Sequence, residues 1–595
     1  MFDSFLRTVT ERLDVLGVSS SLGLWFTAGF SGILTLLFYR WYTESLPGWH
    51  GAPVHENYTL RDASDPWIIN CRDPATGQSL GQARANTPEE VRAAVAKARM
   101  AQTHWKRTTF AQRRAVLKSL LNFIVEHQEE ICRVACRDTG KTPMDAELGE
   151  ILVTCEKLRW TINYGEKALK TESRATGIIT MHKYALVEYL PLGVVSALVS
   201  WNYPFHNTFN PIISAIFAGN GIVVKTSEHV AWSVPYWASI IHECLRAHGH
   251  DPDLVQFVCG FGETGDALVR SGVDKVTFIG SPSVGKMVMR AASDSLTPCV
   301  LELGGKDCAI LCADANLDQA LQLLMRGVFQ NCGQNCIGIE RIIVHRDCYD
   351  KFVAMLSKKV AGLKMGAPLD ETDVDCGAMT MGMEASSMSW QSRVPDMVDE
   401  AVQKGARLLH GGTQYSSSKY PHGQYMAPTL LVDVTTEMQV ANEELFAPVM
   451  LVLPCDSDED ALRIANSTPY GLGSSIFTRN IARGHDMAQR LRAGMCNIND
   501  FAVNYLCQSL PFGGVGDSGF DRFGGVEGLR GNCLVRSMTV DRFPSLVQTG
   551  IPPVLQYPTR GAATAAAFCG KLVRMVYADS WLEKARSALG LATSA

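Results

Sequence analysis

The sequence predicts an α/β protein built on a doubly wound parallel sheet. Three observations carry that expectation. From Gly193 onward, short β-rich runs (193–200, 221–225, 254–260, 275–280 and 299–303) alternate with helix-length segments. Those runs are nearly continuously apolar, as parallel strands covered on both faces must be. A second pattern of the same kind extends from Ala315 to about Leu529. In such folds the ligand crevice lies outside the carboxyl ends of the strands.

Composition bounds what else the chain can be. At 595 residues, 46% of them hydrophobic and 19% charged, it has material for two or three packed domains. A formal net charge of −5 with both signs dispersed argues against a nucleic-acid surface. The 18 cysteines form no zinc-type pairs and no disulfide framework, so a metal site is not expected and a reducing compartment is.

In chain order, the first distinctive element is 15–39, which contains no charged side chain and is followed by Arg40-Trp41-Tyr42. It is long enough for the roughly 20 residues of a bilayer-spanning helix, with aromatics at the interface. Segment 1–46 is therefore expected to be a tail and one transmembrane helix, a buried N-terminal helix being the alternative. Arg7 and Arg12 before the span and Arg40 after it leave the orientation weakly determined. Globular patterning begins near the turn-like Asp73-Pro74-Ala75-Thr76-Gly77. Thr87-Pro88-Glu89-Glu90 is a capping box with proline at the first helical position, and Val91, Ala94, Val95 and Ala98 follow at helical spacing. Further helices are expected over 110–130 and 145–164, and 177–192 reads as β. Beyond Pro544, Ile551-Pro552-Pro553 reads as a linker, and 562–591 as one Ala-rich amphipathic helix.

Several stretches have residue types suited to chemistry. Asn331-Cys332-Gly333-Gln334-Asn335-Cys336 joins a helix-like run to an apolar one, a bend able to present one thiol. A cysteine alone proves little, because free cysteines are mostly buried apolar residues. Leu301-Glu302-Leu303-Gly304-Gly305 puts a glutamate in an apolar strand, where burial would raise its pKa toward that of a general base. Asn202, in Trp201-Asn202-Tyr203-Pro204, offers an amide as oxyanion donor, although asparagine beside proline is also an ordinary turn residue. Gly280 ends a strand, Ser281 can cap a helix and Pro282 starts it; the free N–H groups there suit a pyrophosphate, and a plain strand-to-helix turn explains the segment equally. The G-x-G-x-x-G-like run Gly260 to Gly265, which includes Gly262, does not follow the first strand and is weak by itself. Lys225 with Glu228 ends another strand, as a ribose site or as a surface ion pair; a carboxylate there would repel a 2′-phosphate and favour NAD over NADP.

Taken together these stretches resemble the aldehyde dehydrogenase superfamily over about 73–542. The resemblance rests on Trp201 to Pro204, Lys225 with Glu228, the Gly280-Ser281 turn, Leu301 to Gly305, Gly333 to Cys336, Glu443-Glu444-Leu445-Phe446, Asn466 with Tyr470-Gly471-Leu472, and Pro511-Phe512-Gly513-Gly514. Their order, with Glu302 34 positions before Cys336, makes coincidence untenable. The resemblance implies that Cys336, as thiolate, attacks an aldehyde while Asn202 and the Cys336 N–H hold the oxyanion. NAD would take the hydride and Glu302 would activate water to release a carboxylic acid. Trp201, Lys225, Glu228, Gly262, Gly280, Ser281, Glu444 and Phe446 would line the cofactor site. It also implies a Rossmann-like NAD-binding domain (60–172 and 191–303), a catalytic domain (304–532) and a β bridge (173–190 and 533–543) that makes homodimers or homotetramers, leaving 544–595 as a C-terminal linker and helix. Departures from the family pattern are Ser200 where proline is common, Ala447 for glycine and Gly516 for lysine. The N-terminal span resembles fungal membrane-associated aldehyde dehydrogenase-like proteins, implying a single-pass endoplasmic reticulum anchor; cytosolic NAD and the unpaired thiols favour a cytosol-facing enzyme, against the slight charge bias around the span, and membrane placement points to a hydrophobic aldehyde. A catalytically silent membrane scaffold is the alternative; CoA acylation is disfavoured by the presence of Glu302.

Overall fold

Helix α1 (Pro88–Trp105) forms where its capping box predicts. Thr87 accepts the Glu90 N–H at 3.3 Å, and the Glu90 carboxylate accepts the Thr87 N–H at 2.9 Å. Its stripe of Val91, Ala94, Val95 and Ala98 is buried against the first large sheet. The computed structural model describes residues 59–381, 390–547, 549–559 and 561–593. The expected transmembrane helix at 15–39 lies outside them. Among the described residues no helix is long and apolar enough to cross a membrane.

The first sheet contains β1 (Val194–Leu198), β2 (Gly221–Thr226), β3 (Val255–Cys259), β4 (Lys275–Gly280) and β5 (Cys299–Leu303). The second contains β6 (Cys308–Leu311), β7 (Arg341–His345), β8 (Arg407–His410), β9 (Thr429–Val432), β10 (Val449–Cys455), β11 (Ser474–Phe477) and β12 (Asn497–Ile498). Strand β13 (Gly519–Phe520) returns to the first sheet, giving the order β13-β5-β4-β1-β2-β3. The chain winds outward from β1 through β2 and β3, then crosses back to β4 and β5. The winding therefore reverses between β1 and β4, the topological switch point where doubly wound sheets bind ligands. The second sheet runs β8-β9-β10-β7-β6-β11-β12, parallel except for β8. Both sheets belong to one unit made of 192–532 and the described part of 1–165.

Three helices depart from expectation. The 110–130 helix is two, α2 (Phe110–Glu126) and α3 (Gln128–Thr139), because His127 leaves helical geometry at φ −117°, ψ 21°. The 145–164 helix begins as a short turn (Pro143–Ala146) and a π-helical stretch (Glu147–Leu152) before α4 (Val153–Ala168). Strand β13, from the segment expected to be catalytic, pairs antiparallel with β5, Gly519 opposite Glu302. The 562–591 helix is two, Ala562–Tyr577 and Trp581–Ala592, split where Ala578 is extended (φ −63°, ψ 142°). Lys571 Nζ donates to the Gly590 carbonyl at 3.0 Å, so the second of these helices folds back along the first.

The second unit, 166–191 with 533–595, holds the β bridge. Its three antiparallel strands are Cys533–Asp541, Lys183–Pro191 and Glu172–Arg174, in that order across the sheet.

Candidate active site

The bend carrying Cys336 follows α9 (Leu317–Phe329) and is unusual in its backbone. Asn331 and Cys332 both adopt left-handed conformations (φ 53° and 54°), which cost L-residues of the order of 1–2 kcal/mol each. The small amides noted in the sequence hold it. Asn331 Nδ2 donates to the carbonyls of Asn202 and Gln334, each at 3.0 Å, and Gln334 Nε2 returns a bond to the Asn331 carbonyl at 3.0 Å. The Cys332 thiol is buried and donates to the Gly377 carbonyl at 3.2 Å, a packing role. Gly333 (φ 70°) has no alternative: a Cβ there would lie 2.1 Å from the Ala447 carbonyl oxygen. Ala447, one of the departures, is thus part of the wall that shapes this loop.

Asn202 follows the end of β1, on the loop leading into α5 (Pro204–Ala218), and its amide orientation is fixed. Ser200 Oγ donates to its Oδ1 at 2.6 Å and Asn207 Nδ2 does so at 3.2 Å. This leaves Asn202 Nδ2 facing the cysteine loop, where it donates to the Gln334 carbonyl at 3.1 Å. The serine standing where the family pattern has proline therefore orients the candidate oxyanion donor. Behind it, Lys141 Nζ donates to the Asn202 carbonyl and to Glu150 Oε1, both at 2.7 Å, with both side chains at 0% exposure. Lys141 was missed by sequence reading, because a lysine following glycine in a polar turn looks like a surface residue.

Glu302 lies in β5, buried, with Oε1 making no hydrogen bond. Burial raises its pKa to about 7, and the neighbouring Cys336 thiol moderates the rise. Burial also pushes the Cys336 thiol well above its usual range, and the charges of Glu302, Asp307 and Glu444 push it further. Glu302 is the base beside it, placed to take the thiol proton and so give the attacking thiolate.

The two groups open into a cavity of about 210 Å³. Its wall includes Leu148, Leu152, Val153, Leu323, Leu506 and Phe523. The π-helical stretch supplies Leu148 and Leu152, in keeping with the frequent placement of π-bulges at functional sites. The cavity's one lining arginine, Arg326, is already paired with buried Asp145 at 3.0 Å.

The expected cofactor residues gather at the carboxyl ends of the first sheet. Trp201 follows β1, Lys225 lies near the end of β2, Gly280 ends β4, and Gly262 opens α7 (Gly262–Val269) after β3. Lys225 Nζ sits 3.3 Å from Glu228 Oε2. Burial raises the Glu228 pKa, but Lys225 and His229 outweigh it and hold the carboxyl low. Ser281 caps α8 (Pro282–Ser293), accepting the Val284 N–H at 3.5 Å. A Cβ on Gly262 would meet nothing within 4 Å, so no protein atom requires glycine there, whereas an approaching phosphate would. The donor set at the strand ends and this open space after β3 fit a dinucleotide.

Glu444 and Phe446 lie across the crevice. Glu444 Oε1 accepts the Gly305 N–H at 3.0 Å, and a Cβ on Gly304 would collide with its carboxylate at 2.1 Å. Burial, then the charge of Glu340, raises Glu444 to about 8. Phe446, left-handed at φ 51°, lies edge-on to Trp201 with ring centroids 5.6 Å apart. The loop is held by Glu340, another residue the sequence reading missed. Its carboxylate accepts the N–H groups of Leu445 and Phe446 at 2.8 Å and takes Lys306 Nζ at 2.6 Å. Glu340 stands at the head of an apolar strand, a position that reads as a solvated strand end.

The profile of the aldehyde dehydrogenase family matches residues 61–538. The chain belongs to that family. It is 44% identical over 515 residues to aldehyde dehydrogenase-like protein C21C3 of Schizosaccharomyces pombe, covering 86% of this chain and 97% of the relative. It is 32% identical over 458 residues to the 4,4′-diapolycopene aldehyde oxidase of a Methylomonas species, covering 77% of this chain and 82% of that one. Among solved structures, the NAD+ complex of a Bacillus cereus aldehyde dehydrogenase superposes with a TM-score of 0.73 at 32% identity, covering 80% of this chain and 93% of that one.

Proposed function

We propose that the protein oxidises an uncharged, apolar aldehyde to its carboxylic acid with NAD, through an acyl group carried on Cys336. The observation that carries this reading is Cys336 facing Glu302 at an apolar cavity whose arginine is already paired. Glu302 takes the thiol proton as Sγ bonds to the aldehyde carbon. The developing oxyanion is held by Asn202 Nδ2 and the Cys336 N–H. Lys225, Glu228, Ser281 and the Glu444–Phe446 loop would hold NAD, which would supply the hydride acceptor needed to leave a thioester on Cys336. Glu302 gives the proton it took from the thiol to solvent and, ionised again, accepts a proton from water as the water oxygen bonds to the acyl carbon. The C–S bond breaks, the acid leaves, and Cys336 regains its proton. The carboxylate of Glu228 favours NAD over NADP by charge repulsion.

A panel of straight-chain aldehydes followed by NADH absorbance tests this reading. Each methylene buried adds about 0.8 kcal/mol, so kcat/KM should rise a few-fold per carbon until the cavity is filled. Succinic semialdehyde, whose carboxylate finds no free cation, should be a far poorer substrate. A preference for the carboxylated aldehyde would overturn the apolar assignment.

We further propose attachment to a membrane, endoplasmic reticulum in the first instance, through the uncharged 15–39 segment, with the enzyme in the cytosol. Deleting 1–45 should move the protein from the membrane pellet to the supernatant. A truncated protein still in the pellet would overturn this and direct attention to the helices at 562–592.

A further inference from the structure

The cavity that holds Cys336 also contains a phenol with a fixed polarity. Tyr505 lies in a short helix (Val503–Leu506) and its ring packs on Phe512, tilted by 48° at a centroid distance of 4.4 Å. Tyr505 and Cys336 pack against the same apolar cluster of Leu472, Met495 and Phe512, and both line the aldehyde cavity with Glu302. The Tyr505 hydroxyl is hydrogen-bonded to His206 Nε2.

Which of those two atoms carries the proton follows from the next link. His206 Nδ1 lies 2.8 Å from Thr154 Oγ1, and Thr154 Oγ1 donates to the Glu150 carbonyl at 2.5 Å. A carbonyl oxygen can only accept, so the single threonine proton is committed to it. Thr154 must therefore accept from His206, whose Nδ1 carries the hydrogen. Burial, with the charge of Lys157 adding to it, drops His206 to a pKa of about 3, so the ring is neutral and has no second hydrogen. Nε2 is bare, and the Tyr505 O–H donates to it. The phenol has no hydrogen left to give, and what it offers the cavity is an oxygen lone pair.

We propose that Tyr505 is a specificity-determining residue that selects, among apolar aldehydes, those with a hydroxyl donor close to the carbonyl. His206 and Thr154 are positioning residues that set its polarity. The proposal rests on the apolar-aldehyde reading above and refines it. A substrate hydroxyl on the second or third carbon gives its hydrogen to Tyr505 while the carbonyl meets Cys336. An ether oxygen at the same place meets an oxygen and is rejected.

The test compares nonanal, 3-hydroxynonanal and 3-methoxynonanal with the full-length enzyme and NAD, read as ratios of kcat/KM. A neutral hydrogen bond of ordinary strength predicts a hydroxy-over-methoxy preference of about 3- to 10-fold in the wild type. In Tyr505→Phe that ratio should fall to about one, whatever the variant's absolute rate. In Thr154→Val, Nδ1 loses its acceptor, the hydrogen moves to Nε2, and the phenol proton is released toward the cavity. The ratio should then fall to one or below while Tyr505 is still present. A merely structural loss would lower all three substrates together and leave the ratio unchanged, which would overturn the proposal. So would a wild-type ratio of one with nonanal turned over, and that result leaves the oxidation of apolar aldehydes standing. If nonanal itself gives no NADH, both fail.

Discussion

Replacing Cys336 with alanine should abolish NADH production with every aldehyde, a loss on the order of 10⁶-fold when a covalent nucleophile is removed. The geometry leaves no substitute. Cys332, four positions earlier, is buried, and its thiol is turned to the Gly377 carbonyl, away from any route to substrate. Cys336→Ala should fold normally, because the loop is held by Asn331 and Gln334 and not by the sulfur. An unchanged melting temperature with no turnover is the expected pair of results. If wild type and variant are equally inactive on all aldehydes tried, the enzyme reading fails and the catalytically silent scaffold replaces it.

Glu302→Gln should lower steady-state turnover by about 10²- to 10⁴-fold, the usual range for a general base. A pre-steady-state burst of about one NADH per site should persist, more slowly formed, because acylation needs one proton removed whereas turnover also needs water activated. The pH profile gives a second readout. Glu302 must be ionised to act, and its pKa is raised to about 7. Wild-type kcat/KM should therefore increase as pH rises through about 7 and level off above it, and that inflection should vanish in the glutamine variant. Unchanged turnover, or an inflection that survives the substitution, would overturn the role assigned to Glu302.

Residues whose chemistry is written in their own type and position were legible in advance. Cys336, Glu302 and Asn202 come together as expected because each lies at or near a strand end or at a loop whose boundaries follow from apolar runs. Lys225, Glu228 and Ser281 reach one crevice for the same reason. What escaped notice was the supporting layer. Lys141, Glu150, Glu340 and Lys306 are charged residues that look solvated in sequence and become buried only when distant segments close over them. Lys306 and Glu340, 34 positions apart, meet at 2.6 Å at the base of the loop that carries Glu444 and Phe446. Ser200, legible only as a departure from a family pattern, gains its meaning from the bond it gives to Asn202 Oδ1.

Local sequence by itself determined the alternation of strands and helices, the capping of α1 and α8, and the identity of the reacting groups, because propensity, caps and apolar periodicity act over a few residues. Only the tertiary structure decided what those groups can do. Burial and neighbouring carboxyl groups push the Cys336 pKa up, and burial raises Glu302 to a working base. The π-helical stretch lines the cavity with leucines, and β13 returns across the chain to pair with the strand bearing Glu302. A bond from Thr154, reached through His206, sets which way the Tyr505 proton points. Each of these depends on contacts between residues far apart in sequence, and electrostatic free energies in a low-dielectric interior are fixed by such contacts, not by the residues alone.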